Sequence, residues 1–419
     1  MTTVPTNETS TRSHPKNSAR HPIEVDAVVA RHSARLEWRA EVPAVRQALD
    51  LIGQPGSRRH IPTPAAIVDV DALISNVQRM QGRVDTCGVA LWPHAKTHKS
   101  AAIAEIQIAA GAVRICVAKV GEAEALAAVA PLPLLVTSPI TSLGAIERIV
   151  KLAATKIDDL LVVVDHLDQV DALAAQAVRS GVRLGMIIDL DVGLGRTGAT
   201  NPADAAAIAA RIARSPSLEL VGVQGYGGHW QHLHGAETRR GKVVKGMARL
   251  TSAIQAIVGS GTDVGIRTGG GTGTVAADLE LGVLNALQAG SYVFMDGQYL
   301  DALGDDEDGR FVCALTIATT VVSANQPRFV TVDAGLKSMA TDASTPVPVG
   351  LPGSTFKFFG DEHGMISVPA EGPMPRLGDR LELLTPHCDP SVDRYDVLHV
   401  VRNDTLIGVI PVDGRGRSQ

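Results

Sequence analysis

From residue 65 onward, short apolar runs alternate with longer amphipathic stretches. A short apolar run bounded by turn residues predicts a buried strand, and apolar positions recurring every three or four residues predict a helix. On this basis strands are predicted at 89–94, 114–118, 134–137, 160–165, 184–189, 220–224, 265–268 and 285–294, with Ala-rich helices at 167–180, 203–214 and 238–259 between them. Near-continuous apolar strands alternating with helices imply parallel strands covered on both faces. Eight such units predict an α/β fold, a TIM-type (β/α)8 barrel. The alternative is an open doubly wound sheet, which is disfavoured because no dinucleotide fingerprint follows the first strand.

The flanks read differently. An amphipathic helical pattern covers 25–53 and a Gly/Pro/Arg linker follows. A strand at 65–70 precedes the barrel, with Asp71 expected to cap a helix over 72–84. Beyond about residue 301, helical periodicity gives way to strands at 313–322, 328–333, 364–368, 380–384 and 397–402 between Gly/Pro turns. The expected organisation is a disordered polar tail at 1–24 and an extension at 25–69, whose strand joins the β domain. The barrel follows at 70–300 and the C-terminal β domain at 301–419.

Composition narrows the function classes. The chain has 419 residues, 45% hydrophobic, with a formal net charge of -5 and no long basic run, which argues against nucleic acid or an anionic membrane as partner. No apolar run is long enough to cross a bilayer, and the tail lacks the apolar core of a signal peptide. The four cysteines, Cys87, Cys116, Cys313 and Cys388, have no paired spacing and read as free thiols of a cytoplasmic protein.

Candidate chemistry gathers at the ends of the predicted barrel strands. Lys96, in Pro93-His94-Ala95-Lys96-Thr97-His98-Lys99, closes the first strand. Desolvation there is expected to lower its pKa and make it a nucleophile for Schiff-base formation. Thr268-Gly269-Gly270-Gly271-Thr272-Gly273-Thr274 follows the seventh strand, and Ala289-Gly290-Ser291-Tyr292 lies on the eighth. Backbone amides at these positions suit an anion, and barrel phosphate sites often use these two loops. A strand-end lysine with a phosphate cradle suggests pyridoxal 5'-phosphate. Arg196, after the fifth strand, can hold a phenolate oxygen or serve a surface ion pair. Tyr226 opens the loop after the sixth strand, where His229, His232 and His234 offer a general base, His229 foremost. Pro386-His387-Cys388-Asp389-Pro390, if extended, would point His387 and Asp389 to one face for a divalent metal, Mn²⁺, Mg²⁺ or Zn²⁺, with Cys388 turned away. A hydrogen-bonded His–Asp turn is the structural alternative.

Together these motifs resemble the D-threonine aldolase / D-serine dehydratase group of alanine-racemase-type enzymes, closest to its metal-dependent D-threonine and 3-hydroxy-D-aspartate aldolase branch. The resemblance spans residues 61–416. Its anchors are Thr63-Pro64-Ala65, Asp69-Val70-Asp71-Ala72-Leu73, the Lys96 motif, Asp191-Val192-Gly193 with Arg196, the glycine-rich loop and Gln288-Ala289-Gly290-Ser291-Tyr292. Further anchors are Phe294-Met295-Asp296, Val332-Asp333-Ala334-Gly335-Leu336-Lys337, Asp361-Glu362-His363-Gly364 and the His387 motif.

The resemblance implies a barrel with a C-terminal β domain and Lys96 as the lysine that holds the cofactor. It further implies Arg196 at the phenolate oxygen, Gln288 near the pyridine nitrogen, and Gly270, Gly271, Thr272, Gly290, Ser291 and Tyr292 around the phosphate, with Tyr226 also at the cofactor. Dehydratase-like members place Cys two residues after the metal-binding His; Asp389 here resembles the aldolases. Several aldolases carry His directly after the loop tyrosine, where this chain has Gly227. The implied activity is retro-aldol cleavage of a β-hydroxy-D-amino acid to glycine and an aldehyde. A dehydratase and a non-catalytic pyridoxal-phosphate carrier are the alternatives. The expected assembly is a homodimer in which Lys96 and His387 of one site come from different chains.

Overall fold

Eight strands lie parallel in one curled sheet, in the order Ala90–Leu91, Ala286–Leu287, Ile266–Gly269, Leu218–Gly225, Leu184–Asp189, Leu160–Val164, Leu134–Val136, Ile115–Val117. A parallel bridge between His94 and Cys116 joins the first strand to the last and closes the ring. This computed structural model describes residues 23–36, 41–157, 159–304 and 311–419. Residues 1–22 of the expected tail lie outside them.

Alternate strand residues divide between two cores, as a period of two requires. Leu135, Leu161, Val163 and Ile187 meet Trp92 and Cys116 in one cluster. Leu134, Val136, Val162, Val164, Met186 and Ile188 join the larger cluster shared with the helices. The barrel expected from the apolar runs is therefore present. The first and last strands are shorter than predicted, Ala90–Leu91 and Ala286–Leu287, although backbone bonds between the two segments run on to the His94 amide and the Ala289 carbonyl. Past His94 and Ala289 each chain segment makes a 3-10 turn, Ala95–Thr97 and Ser291–Val293. Those two turns carry Lys96 and Ser291.

A second, nine-stranded sheet is built mostly from the C-terminal third of the chain. Its member Ala65–Asp69 lies antiparallel to Leu315–Ser323 and parallel to Val397–Arg402. The following helix, Val70–Thr86, starts earlier than expected. Its N-cap is Asp69, whose carboxylate accepts the amides of Asp71 and Ala72, whereas Asp71 lies inside the helix. The strands Val347–Pro348, Thr355–Phe358 and Thr405–Pro411 went unread in the sequence because turn residues interrupt or border their short apolar patterns.

Among the N-terminal residues, helix Val25–Ala34 packs on Thr405–Pro411, where Ser33 Oγ accepts the Val409 amide at 2.9 Å. Arg35 reaches Asp413 at 2.8 Å, and the other Asp413 oxygen accepts the amide of Ala101, first residue of the helix after the lysine turn. No helix among the described residues is long and apolar enough to cross a membrane.

Candidate active site

The strand ends converge on a cavity lined by His94, Lys96, Ala118, Thr137, Ser138, Arg196, Gln224, Tyr226 and Gln288. Lys96 projects from the 3-10 turn after the first strand, where His94 Nδ1 accepts the Lys96 amide and His94 Nε2 meets Thr137 Oγ1 at 3.0 Å. Burial, helped by the Lys96 charge, lowers the His94 pKa to about 3, so its imidazole is neutral.

The ammonium of Lys96 is shielded from bulk water but open to the cavity, and its Nζ lies 2.5 Å from Asp389 Oδ2. This contact corrects two expectations. Asp389 raises the Lys96 pKa against the opposing effect of burial, so the amine is not a lowered-pKa nucleophile in this state. Both residues also belong to one chain, so the lysine and the His387 motif of one site need not come from different subunits.

The local geometry of the His387 motif is corrected as well. Cys388–Val392 is a short helix with His387 as its N-terminal flank, not an extended strand. Pro390 in the first turn suits a helix start, since its missing amide is not needed there. Asp296, just after the barrel, anchors the start by accepting the Cys388 amide at 2.8 Å. Burial opposes the charge of Asp389, but Lys96 and His387 hold its carboxyl well below the usual range. His387 Nδ1 meets Asp342 Oδ2 at 2.9 Å. A carboxylate on one ring nitrogen orients the imidazole and leaves the other nitrogen for a ligand.

The loop histidines separate clearly. His229 is exposed, tilts against Trp230 with centroids 5.0 Å apart, and feels the charges of Lys242 and Asp191. The structure does not bring it to Lys96. His234 faces Asp301 at 3.4 Å on the surface. His232 is the one directed inward: its ring packs on Tyr299 with centroids 4.3 Å apart, and its Nε2 is buried without a partner. Burial lowers its pKa to about 4, with His387, Asp389 and Lys96 also acting on it. Gly227 has no room for a side chain, because a Cβ there would lie 2.1 Å from the Trp230 ring. A histidine directly after Tyr226 is thus excluded by packing, and the inward histidine comes five residues later, at 232.

Residues 270–274 and 290–292 meet as neighbouring loops, joined by the Tyr292 amide donating to Thr272 Oγ1 at 3.0 Å. Gly270 has φ +69°, and a Cβ at Gly271 would collide with Gln231. The Gly271 amide is taken by Thr274 Oγ1, while those of Gly270, Thr272 and Ser291 have no internal acceptor among the described residues. Free amides in a cradle without side chains fit an anion such as a phosphate. The Tyr292 side chain points away, its hydroxyl accepting from Gln107. Beneath the cradle lies Asp278, whose pKa burial raises to about 7.

Arg196 sits at the rim, over the Tyr226 ring at 5.4 Å. The cavity therefore offers a lysine amine, a rim cation and an amide side chain, and the loops that follow the neighbouring strands Ile266–Gly269 and Ala286–Leu287 offer an anion cradle, a set that fits pyridoxal phosphate. An ionised carboxylate at Asp389 and a carboxylate-held histidine at His387 fit a divalent ion. Among the described residues no group of three or more His, Cys, Asp or Glu is placed to hold one, so water or substrate would complete the shell.

Sequence reading passed over Gln224, Asp189 and Asp342. A polar residue closing an apolar barrel strand was the available signal for the first two; nothing in the sequence pointed to Asp342.

Comparison with known proteins agrees with this fold. The family model "Alanine racemase, N-terminal domain" matches residues 68–298, and a serine dehydratase domain model matches 314–401. The chain is 34% identical to 3-hydroxy-D-aspartate aldolase of Paracoccus denitrificans (strain Pd 1222), over 88% of this chain and 96% of that protein. It is 34% identical to D-threonine aldolase of an Arthrobacter species, over 89% and 98% of the two. The crystal structure of D-threonine aldolase from Filomicrobium marinum superposes with a TM-score of 0.83 at 30% identity, covering 86% of this chain and 97% of that one.

Proposed function

This chain belongs to the alanine-racemase-fold family that includes the D-threonine and 3-hydroxy-D-aspartate aldolases, and from that premise we propose that it is a pyridoxal-phosphate- and divalent-metal-dependent lyase. It cleaves a β-hydroxy-D-amino acid to glycine and an aldehyde. The observation that carries this reading is the meeting of Lys96 and Asp389 at 2.5 Å, with the buried, unpartnered His232 within their electrostatic reach.

Pyridoxal phosphate, when bound, supplies an electron sink for the bond pair released at Cα. Lys96 would hold its aldehyde, Arg196 its phenolate oxygen beside Tyr226, and Gln288 its ring nitrogen. The amides of Gly270, Thr272 and Ser291 would hold its phosphate, and Gly271 and Gly290 would leave room for it. Tyr292, with its amide on Thr272 and its hydroxyl at Gln107, braces the cradle instead of binding the phosphate as expected. His387 and Asp389 would hold the metal, Mn²⁺ or Mg²⁺ by their donor chemistry with Zn²⁺ as a lesser fit, and the ion would polarise the β-hydroxyl.

His232, rather than His229, takes the β-hydroxyl proton. Its low pKa keeps the imidazole neutral, and a neutral imidazole accepts a proton at its free nitrogen more readily than it gives one to a departing hydroxide. That favours cleavage over dehydration. The proposal includes a homodimer working in the cytoplasm, in keeping with the family resemblance and the free thiols.

The test is product analysis with D-threonine, D-3-hydroxyaspartate and D-serine. Glycine and an aldehyde are expected, from a yellow protein that loses its colour in Lys96→Ala. Exhaustive chelation should leave the protein yellow but inactive, with activity restored by Mn²⁺ or Mg²⁺. A keto acid and ammonia without glycine would establish the dehydratase, and a yellow protein that turns over none of the three would point to a carrier.

A further inference from the structure

Beneath the cavity, three side chains form a directional hydrogen-bond relay. Gln224 and Gln288 are both buried, 3% and 4% exposed, and both line the cavity. Gln224 Nε2 donates to the Thr137 carbonyl oxygen at 3.2 Å and to Asp189 Oδ1 at 2.9 Å. Gln288 Nε2 donates to Gln224 Oε1 at 3.0 Å and to Thr268 Oγ1 at 3.1 Å. Asp189 is itself held at its other oxygen by the Thr197 hydroxyl at 2.7 Å.

The direction of this relay is not free. Which end of a glutamine amide is oxygen must be decided by its neighbours. A backbone carbonyl can only accept, so Thr137 alone forces the Gln224 nitrogen toward it, and Asp189 adds a second acceptor on the same side. The Gln224 oxygen must then face Gln288. Turning Gln288 over would bring two amide oxygens together in a buried, low-dielectric place, where an unpaired polar contact is costly. Each amide nitrogen has two hydrogens, and in both glutamines both are used. Among the described residues no group donates to Gln288 Oε1. Gln288 thus has nothing left to donate and one oxygen left to accept.

We propose that Asp189, Gln224 and Thr137 are positioning groups that lock Gln288 as an acceptor toward the cavity, so that the site holds pyridoxal phosphate with its ring nitrogen protonated. A neutral ring nitrogen would present a lone pair to a lone pair; a protonated one donates to Oε1. The protonated ring is the stronger electron sink, so the relay serves the bond cleavage assigned above. This inference rests on the cofactor reading and on Gln288 facing the ring nitrogen.

The experiment is nitrogen NMR on the full-length protein reconstituted with pyridoxal phosphate carrying ¹⁵N in its ring, because protonation shifts that resonance strongly. The wild type is expected to show the protonated signal from mildly acidic to mildly alkaline buffer. Gln288→Leu removes the acceptor and should shift the signal to the unprotonated position at the alkaline end. Gln224→Leu frees the Gln288 amide to turn over and should do the same. Gln288→Glu, still an acceptor, should keep the protonated signal.

Borohydride reduction onto Lys96 tells the two readings apart. A cofactor fixed to Lys96 with an unprotonated ring nitrogen in the wild type overturns this inference alone. A Gln288→Leu spectrum identical to wild type overturns it as well. A protein that binds no reducible cofactor overturns the cofactor reading together with this one.

Discussion

At the scale of single residues, neighbours decide chemistry that residue type leaves open. Three histidines share the loop after Tyr226, and burial and neighbours distinguish them. His232→Ala should lower turnover by about two to four orders of magnitude, the usual effect of losing a positioned base. His229→Ala should leave turnover close to wild type, because that ring is exposed beside Lys242. Steady-state rates decide the matter, and a crippled His229→Ala beside an active His232→Ala would reverse the assignment. Asp278 makes a second case. Burial raises its pKa from the ordinary 3.8 to about 7, so between those values the folded state holds a proton that the unfolded state has lost. Stability therefore falls as pH rises through that window and levels off above it. Asp278→Asn should remove this slope, so chemical denaturation of the apoprotein should show the variant gaining on wild type by up to a few kcal/mol, roughly, between the two pH limits. Parallel stability profiles for the two proteins would refute the assignment.

At the scale of elements, what matters is where a helix or strand ends. The helix Val70–Thr86 is capped by Asp69, which holds two amides, while Asp71 pairs with Arg402 on the surface at 3.1 Å. Asp69→Ala should cost about 1 kcal/mol as a lost cap. Asp71→Ala should cost about half of that or less, as an exposed ion pair does. Urea titrations of the two variants check the order, and the reverse order would move the cap back to Asp71. The same scale explains the active-site turns. The last bond between the segments that follow Leu91 and Leu287 joins the His94 amide to the Ala289 carbonyl, and each segment then turns. A tight turn directly after the strand end aims side chains into the cavity, as it does Lys96.

At the scale of the whole molecule, two sheets share one site. The barrel supplies Lys96 and the glycine cradle; the short helix Cys388–Val392, beside the second sheet, supplies Asp389. Because that contact lies within one chain, mixing Lys96→Ala with His387→Ala subunits should restore no activity, even after proven subunit exchange. Every site then still carries one lesion. Recovery to about a quarter of wild type, the value for randomly mixed dimers with sites shared between chains, would show that the partner supplies the metal pair.

Much of this protein is written in local pattern. Buried strands must be apolar and amphipathic helices periodic, so the barrel and several strands of the second sheet could be read directly. Lys96, the glycine-rich loop and the His387 motif were legible too, because their residue types are rare in such places and stand together in sequence. Tertiary structure alone decided the rest. Which histidine faces inward depends on the space that Trp230 takes above Gly227. The charge state of Lys96 depends on Asp389, which is 293 positions away along the chain. The acceptor role of Gln288 depends on a carbonyl at Thr137 and a carboxylate at Asp189, each on a different strand end. Electric fields, burial and hydrogen-bond direction act through space, and no local pattern records which distant segments will come within reach.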